Sequence, residues 1–306
     1  MSARSEDRRG REAGAEPALP RLSVVTPSYN QADFLEETLR SVLDQGYPGL
    51  EYFVVDGGSE DGSAAILGRY QDRLTGWTSG PDGGLYDALD KGFARTSGEV
   101  MGWLNADDLY LPGALEAVGE VFARFPQIEW LTTLHPAACD RESRRHRVRR
   151  LPGFHREAFE RGEYVVGVNR VWSGWIPQES TFWRRSLWRR AGGRLDSGLE
   201  MAGDFELWAR FFRHAELYGL ERELAVFRRH AGQKTARDLP RYAAEARRVL
   251  DAHRGRGSGA LRALTRMAIT RLPAALRRPF LGLGLAYRTP VVRRRGGAWS
   301  LGTSIG

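Results

Sequence analysis

Residues 22–63 read LSVVTPSYNQADFLEETLRSVLDQGYPGLEYFVVDGGSEDGS. Leu22–Thr26 is a short apolar run with two valines, the make-up of a buried strand. "PSYN" breaks it. From Asp33 to Gln45 the apolar residues Phe34, Leu35, Leu39, Val42 and Leu43 recur at helical spacing, and the glycines at 46 and 49 end the helix. Glu51–Val55, "EYFVV", is a second buried strand that stops on Asp56. A Gly-rich turn follows, with Ser63 placed to cap a helix through Tyr70. Strand, helix, strand, helix in this order predicts a parallel α/β sheet.

The pattern continues outward. After "SGPDGG" a helix is expected over Leu85–Arg95, then a strand over Val100–Leu104, then a helix over Leu111–Phe125 with Pro112 in its first turn. Residues 140–150, DRESRRHRVRR, read as a mobile basic surface loop. Residues 164–190 are rich in aromatics, including Trp172, Trp175, Trp183 and Trp188. A helix over Gly203–His214 and a strand over Leu224–Phe227 follow. No internal repeat is present.

Three strand ends carry ligand-type residues: Thr26–Asn30, Asp56, and Asn105–Asp108. In open α/β sheets ligands bind beyond the carboxyl ends of the strands. No G-x-G-x-x-G follows the first strand and no Gly-rich Lys-Ser/Thr loop exists, which argues against a dinucleotide fold and a P-loop. "GTSIG" near residue 306 has the letters of a nucleophile elbow without its strand–turn–helix setting. An apolar strand ending on Asp107 and Asp108 requires something cationic opposite them.

The formal charge of +8 is unevenly placed. Residues 252–306 hold eleven arginines and no acidic residue, which leaves −3 for the rest. The basicity therefore belongs to one segment, and nucleic acid is disfavoured as a partner of the whole chain. Only Lys91 and Lys234 are lysines, and both fall inside motif-like segments. The single Cys139 excludes an internal disulfide and a Cys-rich zinc site and fits a reducing compartment. Residues 1–20 read as a disordered polar tail without a secretory signal, and no run of 18 apolar residues is present.

The long segment quoted above, with "DGGLYDALDKG" (82–92) and "WLNADD" (103–108), resembles the family 2 glycosyltransferases, and within them bacterial enzymes that build polysaccharides. The resemblance runs from about Leu22 to Thr235. It implies a GT-A fold, a Rossmann-like and mostly parallel sheet flanked by helices. It also implies a nucleotide-diphosphate sugar donor with UDP favoured, Mg²⁺ or Mn²⁺, inversion at the anomeric carbon, and a saccharide or lipid-linked acceptor. By position, Thr26, Pro27 and Tyr29 would line the base pocket and Asp56 would accept a hydrogen bond from the base. Asp82 would line the donor sugar, with Gly83 and Gly84 allowing close approach. Asp107 would bind the metal, with Asn105 in place of the first acid of the family's D-x-D. His230 would be a further metal ligand or diphosphate contact, and Lys91 and Lys234 would place positive charge near phosphate. Asp204 matches the general base, with Gly203 where a glutamate is common. Gln178, Glu179 and Trp183 are candidates for the acceptor site.

The expected organisation is a tail (1–20), a GT-A domain (21–237) and a helical basic extension (238–306). Within that extension, Leu261–Leu285 mixes apolar residues with arginine, and 252–295 is the candidate for contact with an anionic membrane. The expected setting is cytoplasmic, with peripheral attachment to the inner face of the membrane. Two competing readings remain at this point: a nucleotide-sugar pyrophosphorylase, disfavoured because "TPSYN" is not a Gly-rich basic loop, and a non-catalytic binding module, kept open by Asn105 and Gly203.

Overall fold

The computed structural model describes residues 17–166, 174–233, 238–253, 269, 272, 274–281 and 286–305. Residues 1–16 of the expected N-terminal tail, Trp172, Lys234 and most of Leu261–Leu285 lie outside them, whereas the last four tail residues are described, with Pro20 buried and Leu19 packed against the core. The strands are β1 (Leu22–Ser28), β2 (Leu50–Asp56), β3 (Gly76–Ser79), β4 (Val100–Trp103), β5 (Leu109–Tyr110), β6 (Trp130–Thr133), β7 (Ala137–Cys139), β8 (Arg145–His146), β9 (Phe182–Arg184), β10 (Leu217–Leu220), β11 (Ala225–Arg228), β12 (Arg288–Arg295) and β13 (Ala298–Ile305). Nine of them form one sheet in the order β13-β12-β10-β6-β9-β4-β1-β2-β3, and β5-β11-β7-β8 form a small second sheet. In the large sheet only β9 and β13 run antiparallel to their neighbours, so the expectation of a mostly parallel sheet holds.

Helices α1 (Ala32–Leu43), α2 (Ser63–Tyr70), α3 (Leu85–Phe93), α4 (Ala114–Arg124), α5 (Arg156–Glu160), α6 (Arg185–Arg190), α7 (Gly203–Phe211) and α8 (Leu239–His253) accompany the strands. Helix α1 buries Phe34, Leu35, Thr38, Leu39 and Val42, one apolar stripe with a single hydroxyl in it. That hydroxyl has a task described below. The core between sheet and helices is aromatic: Trp103, Trp130, Trp183 and Trp208 are all fully buried. Trp103 stacks on Trp208 at 5.9 Å between ring centroids, and Trp183 meets Trp103 edge-on at 5.5 Å. Such pairs add about 0.5–1.5 kcal/mol each beyond the area they bury.

Several expectations need correction. Ser63 does not cap α2: it is the first helical residue after the N-cap Gly62, and Asp61 Oδ1 accepts its amide at 3.1 Å and its hydroxyl at 2.6 Å. Helix α4 begins at Ala114, because Gly113 adopts φ 71° and breaks the chain before it, so Pro112 lies outside the helix. The basic 140–150 segment forms ion pairs with the body. Arg141 pairs with Asp33 at 2.6 Å, Arg145 with Glu223 at 2.7 Å and Arg150 with Glu221 at 2.7 Å. The segment after 237 is not simply helical. Its β12–β13 hairpin turns at Gly296–Gly297 and joins the central sheet through β10. Val291 and Val292 are fully buried there, so the sheet continues past the boundary expected at residue 237.

Candidate active site

Parallel register brings Ser28, Asp56 and Ser79 side by side at the carboxyl ends of β1, β2 and β3. Asp56 is buried and well supplied with donors. Its Oδ2 accepts from the Gly58 amide (3.2 Å), the Ser59 amide (3.0 Å) and the Ser79 hydroxyl (2.7 Å), while Oδ1 accepts only the Ser59 hydroxyl (2.5 Å). A carboxylate oxygen has two acceptor sites, so Oδ1 keeps one for an incoming N–H. Just outside, Tyr29 is 63% exposed, the only described aromatic at this edge left so open. A Cβ on Gly57 would stand 3.3 Å from the Tyr29 ring and 3.1 Å from Asp82 Oδ2, so the absence of a side chain at 57 lets Tyr29 and Asp82 close on one spot. Asp82 Oδ1 accepts the Gly84 amide at 2.8 Å, and Asp87 Oδ2 accepts that of Gly83 at 2.7 Å.

Beyond β4 the chain turns through Asn105–Asp108, and two elements fix this turn. From α1, the Thr38 hydroxyl reaches the carbonyls of Ala106 (2.8 Å) and Asp108 (2.9 Å). From β11, Arg228 ties down the backbone of the turn and one carboxylate, while its charge pairs with Glu37 rather than with Asp107 or Asp108. Its amide donates to Asp108 Oδ1 at 2.9 Å and its Nε to the Asp107 carbonyl at 2.8 Å. Its guanidinium also donates to the Arg141 carbonyl, the Ser143 hydroxyl and Glu37, and lies 5.1 Å from the centroid of the Phe34 ring. Asp108 is buried and faces inward; burial and the neighbouring Asp107 and Glu179 charges push its carboxyl well above the usual range. It is the structural acid of the pair. Asp107 points the other way, and its Oδ2 lies 2.9 Å from His230 Nε2. The His230 ring packs on Phe34 at 4.6 Å.

The third wall is the turn 178–180. Thr132 and Thr181 hydroxyls anchor it by donating to the Pro177 carbonyl. Gln178 spends both ends of its amide: Nε2 donates to the Trp103 carbonyl at 2.8 Å and Oε1 accepts from Asn105 Nδ2 at 3.2 Å. Gln178 thus orients Asn105, whose Oδ1 is buried without a protein partner among the described residues. Glu179 is 4% exposed, and burial together with the charge of Asp204 raises its carboxyl to about 7. Asp204, in the first turn of α7, is pushed up to about 6 by burial. Gly203 has a packing reason: its amide donates to the Tyr86 hydroxyl at 2.8 Å, and a Cβ there would stand 2.6 Å from the Tyr86 ring. The departure from glutamate at 203 follows from Tyr86 and does not by itself argue for a lost catalytic site.

The structure therefore brings together Tyr29, Asp56 and Asp82 on one side, and Asn105, Asp107, His230, Glu179 and Asp204 on the other. It does not use every expected residue. Thr26 is fully buried and shares a hydrogen bond with the Tyr52 hydroxyl at 2.9 Å, and Pro27 is buried within β1, so neither lines an open pocket. Trp183 is a core residue between β4 and β6, removed from any acceptor. Lys91 sits on the exposed side of α3 and pairs with Asp87 at 2.7 Å, so it braces the Gly83 loop through Asp87. The residues not anticipated are Thr38, Arg228 and Tyr86. Nothing local in the sequence distinguishes a buried arginine such as Arg228 from a solvated one.

Among the described residues no group of three or more His, Cys, Asp or Glu side chains could cage a metal ion. The donor set nevertheless fits a hard dication that shares its ligands with a substrate. A carboxylate oxygen and an imidazole nitrogen face one another at 2.9 Å, and the same turn carries the buried, unpartnered Asn105 oxygen. Mg²⁺ is usually held in this way, by one or two protein carboxylates together with substrate phosphates.

A nine-stranded, mostly parallel sheet with acidic ligands along its carboxyl edge is the layout of a GT-A glycosyltransferase. The family model described as Glycosyl transferase family 2 matches residues 23–175, and the chain belongs to that family. It is 34% identical over 194 residues to the uncharacterized glycosyltransferase Rv1514c of Mycobacterium tuberculosis, covering 62% of this chain and 69% of that one. Among solved structures it resembles Staphylococcus aureus TarS 1–349 in complex with UDP-GlcNAc at 14% identity and a TM-score of 0.55, covering 87% of this chain and 71% of that one. Against a longer TarS chain it spans 43%. It also resembles the mannosyltransferase PcManGT from Pyrobaculum calidifontis in complex with GDP-Man and Mn²⁺, at 18% identity and a TM-score of 0.50, covering 88% of this chain and 81% of that one. No described helix is long and apolar enough to cross a membrane.

Proposed function

We propose that this chain transfers a sugar, with inversion, from a nucleotide-diphosphate donor to a hydroxyl of a saccharide or lipid-linked saccharide in polysaccharide assembly. The observation that carries the reading is the meeting of Asp107 and His230 beyond β4, with the half-buried Asp204 linked to the same turn through Glu179, Gln178 and Asn105.

Tyr29 and Asp56 hold the base, Asp56 through its one free acceptor site on Oδ1. Asp82 and the Gly83–Gly84 backbone border the donor sugar. Asp107 and His230 would hold Mg²⁺ or Mn²⁺. Such an ion, when bound, offsets the negative charge that develops on the leaving diphosphate. Asp204 takes the proton of the acceptor hydroxyl as its oxygen bonds to the anomeric carbon. The bond from that carbon to the phosphate oxygen breaks, and the diphosphate leaves with the electron pair. Raising Asp204 to about 6 matches it to this task, because a base close to the working pH is mostly ionised yet still accepts a proton readily.

UDP is the favoured donor base, supported by the resemblance to a UDP-GlcNAc complex; the GDP-Man complex of the second neighbour keeps guanosine in the test. Exposed Arg278, Arg288, Arg294 and Arg295, with Leu276 at 58% exposure, would rest against an anionic membrane that carries the acceptor. Nucleotide release from UDP-GlcNAc and from GDP-mannose tests the reading. Wild-type release that is abolished in Asp204→Asn, with nucleotide affinity unchanged, supports it. Release unaffected by Asp204→Asn overturns the assignment of the base.

A further inference from the structure

Helix α8 follows the last strand of the small sheet and lies outside the family-matched segment 23–175. Its Glu245 is 2% exposed. Burying a carboxylate is costly unless its oxygens are hydrogen-bonded, and here three successive backbone amides meet it. Glu200 donates at 3.2 Å to each oxygen, Met201 at 2.9 Å to Oε2, and Ala202 at 3.0 Å to Oε2. Burial opposes the charge, but the amides of Met201, Ala202 and Glu200 outweigh it and hold the Glu245 carboxyl below its usual range. Arg241, one turn earlier, pairs with Glu200 and stands 3.6 Å from Glu245.

The three amides belong to the residues that lead directly into Gly203 and Asp204. Successive N–H groups converging on one anion fix the backbone that carries them. The Gly203 amide is fixed from the opposite direction by the Tyr86 hydroxyl. Tyr242, on α8, stands close enough to Asp204 that burial and the Asp204 charge both disfavour its phenolate. The entry to α7 is thus held between α3 and α8, and its first acidic side chain is Asp204.

We propose that α8 is part of the catalytic body and that Glu245 is a positioning residue, which fixes Glu200–Ala202 so that Asp204 is presented to the acceptor hydroxyl. This rests on the reading of Asp204 as the base. It predicts a division of labour: donor binding depends on the edge from Asp56 to His230, whereas proton removal depends also on α8 through Glu245.

The test uses the full chain carrying Glu245→Gln, which keeps the shape and removes the charge. Three quantities are compared with wild type: amide hydrogen exchange over 199–205, affinity for UDP and GDP with Mn²⁺, and nucleotide release from UDP-GlcNAc and GDP-mannose with water as acceptor. The expected result is exchange over 199–205 faster by about tenfold or more, affinity within about twofold, and release slower by about 10–100-fold, the scale of a base displaced by an ångström. Unchanged exchange or unchanged release overturns the proposal. So does a loss of nucleotide affinity in proportion to release, which is the signature of a purely structural role. Should Glu245→Gln not fold, Glu245→Asp, which keeps the charge one methylene short, gives the same split in smaller measure. Asp204→Asn separates the two readings. Full activity there overturns the base assignment, whereas an inactive Asp204→Asn beside a fully active Glu245→Gln overturns only the positioning role.

Discussion

His230 Nε2 lies 2.9 Å from Asp107 Oδ2 although 123 residues separate them. The contact is made by two strand ends: β4 delivers Asp107, and β11 delivers His230 two residues past its end. Removing either side chain should weaken Mn²⁺-dependent nucleotide binding. His230→Ala is expected to lose at least about tenfold, roughly 1.4 kcal/mol, and Asp107→Ala more, because a charged oxygen ligand is lost. Calorimetric titration with and without EDTA measures both.

Arg228 ties that pair to the rest of the molecule. Arg228→Met keeps the length and removes every side-chain donor, leaving the Asp107 and Arg141 carbonyls without it. A cost of about 2–4 kcal/mol follows from buried acceptors left unsatisfied, read as a lower urea midpoint at an unchanged slope.

The pH dependence has a fixed sign. Asp204 must be ionised to accept a proton, and its carboxyl lies at about 6. Turnover should therefore be level above about 6 and fall tenfold per pH unit below it. Stability runs the other way. Asp204 and Glu179 are both raised above their unfolded values, so between about 4 and 7 the folded chain binds more protons than the unfolded one and loses stability as pH rises. Asp204→Asn should raise the melting temperature more at pH 8 than at pH 5; an equal shift at both would contradict the assignment.

Gly203 should tolerate no side chain. A Cβ 2.6 Å from the Tyr86 ring would force that ring or α7 to move, at a cost of about 1–3 kcal/mol. Gly203→Ala should unfold at lower urea than wild type, and Tyr86→Leu in the same chain should restore part of the loss.

The exposed arginines of the segment after 237 should bind vesicles of phosphatidylglycerol and phosphatidylcholine in a salt-dependent way. Binding should fall as ionic strength rises from about 0.05 M to about 0.5 M, because screening shortens the reach of these charges. Sedimentation with vesicles measures it, and salt-independent binding would contradict an electrostatic contact.

What could be read beforehand followed the range of the signal. The first three strands of the sequence reading and their helices are announced by local periodicity, and Asp56 and Asp107 fall where apolar runs stop. Gly203 stood out as a departure, but its reason, the Tyr86 ring, comes from 117 residues away. Arg228 and Glu245 were invisible for the same reason: each is defined by the distant backbone it meets. Trp183 misled because an aromatic suits a sugar face and a core equally well, and only the position of β9 between β4 and β6 decides. The partner of Lys91, Asp87 one turn away, is not announced by the rarity of lysine in an arginine-rich chain. The hairpin of β12 and β13 was hidden inside a segment whose arginines suggested a helix.

The central claim is a nucleotide-diphosphate site held by Asp107, and titration of the purified chain with UDP, GDP and dTDP, each with Mn²⁺ and with EDTA, tests it most directly. Binding of one nucleotide that needs Mn²⁺ and disappears in Asp107→Ala is the predicted result. Binding to none of the three by a folded protein, or binding indifferent to both EDTA and Asp107→Ala, would contradict it.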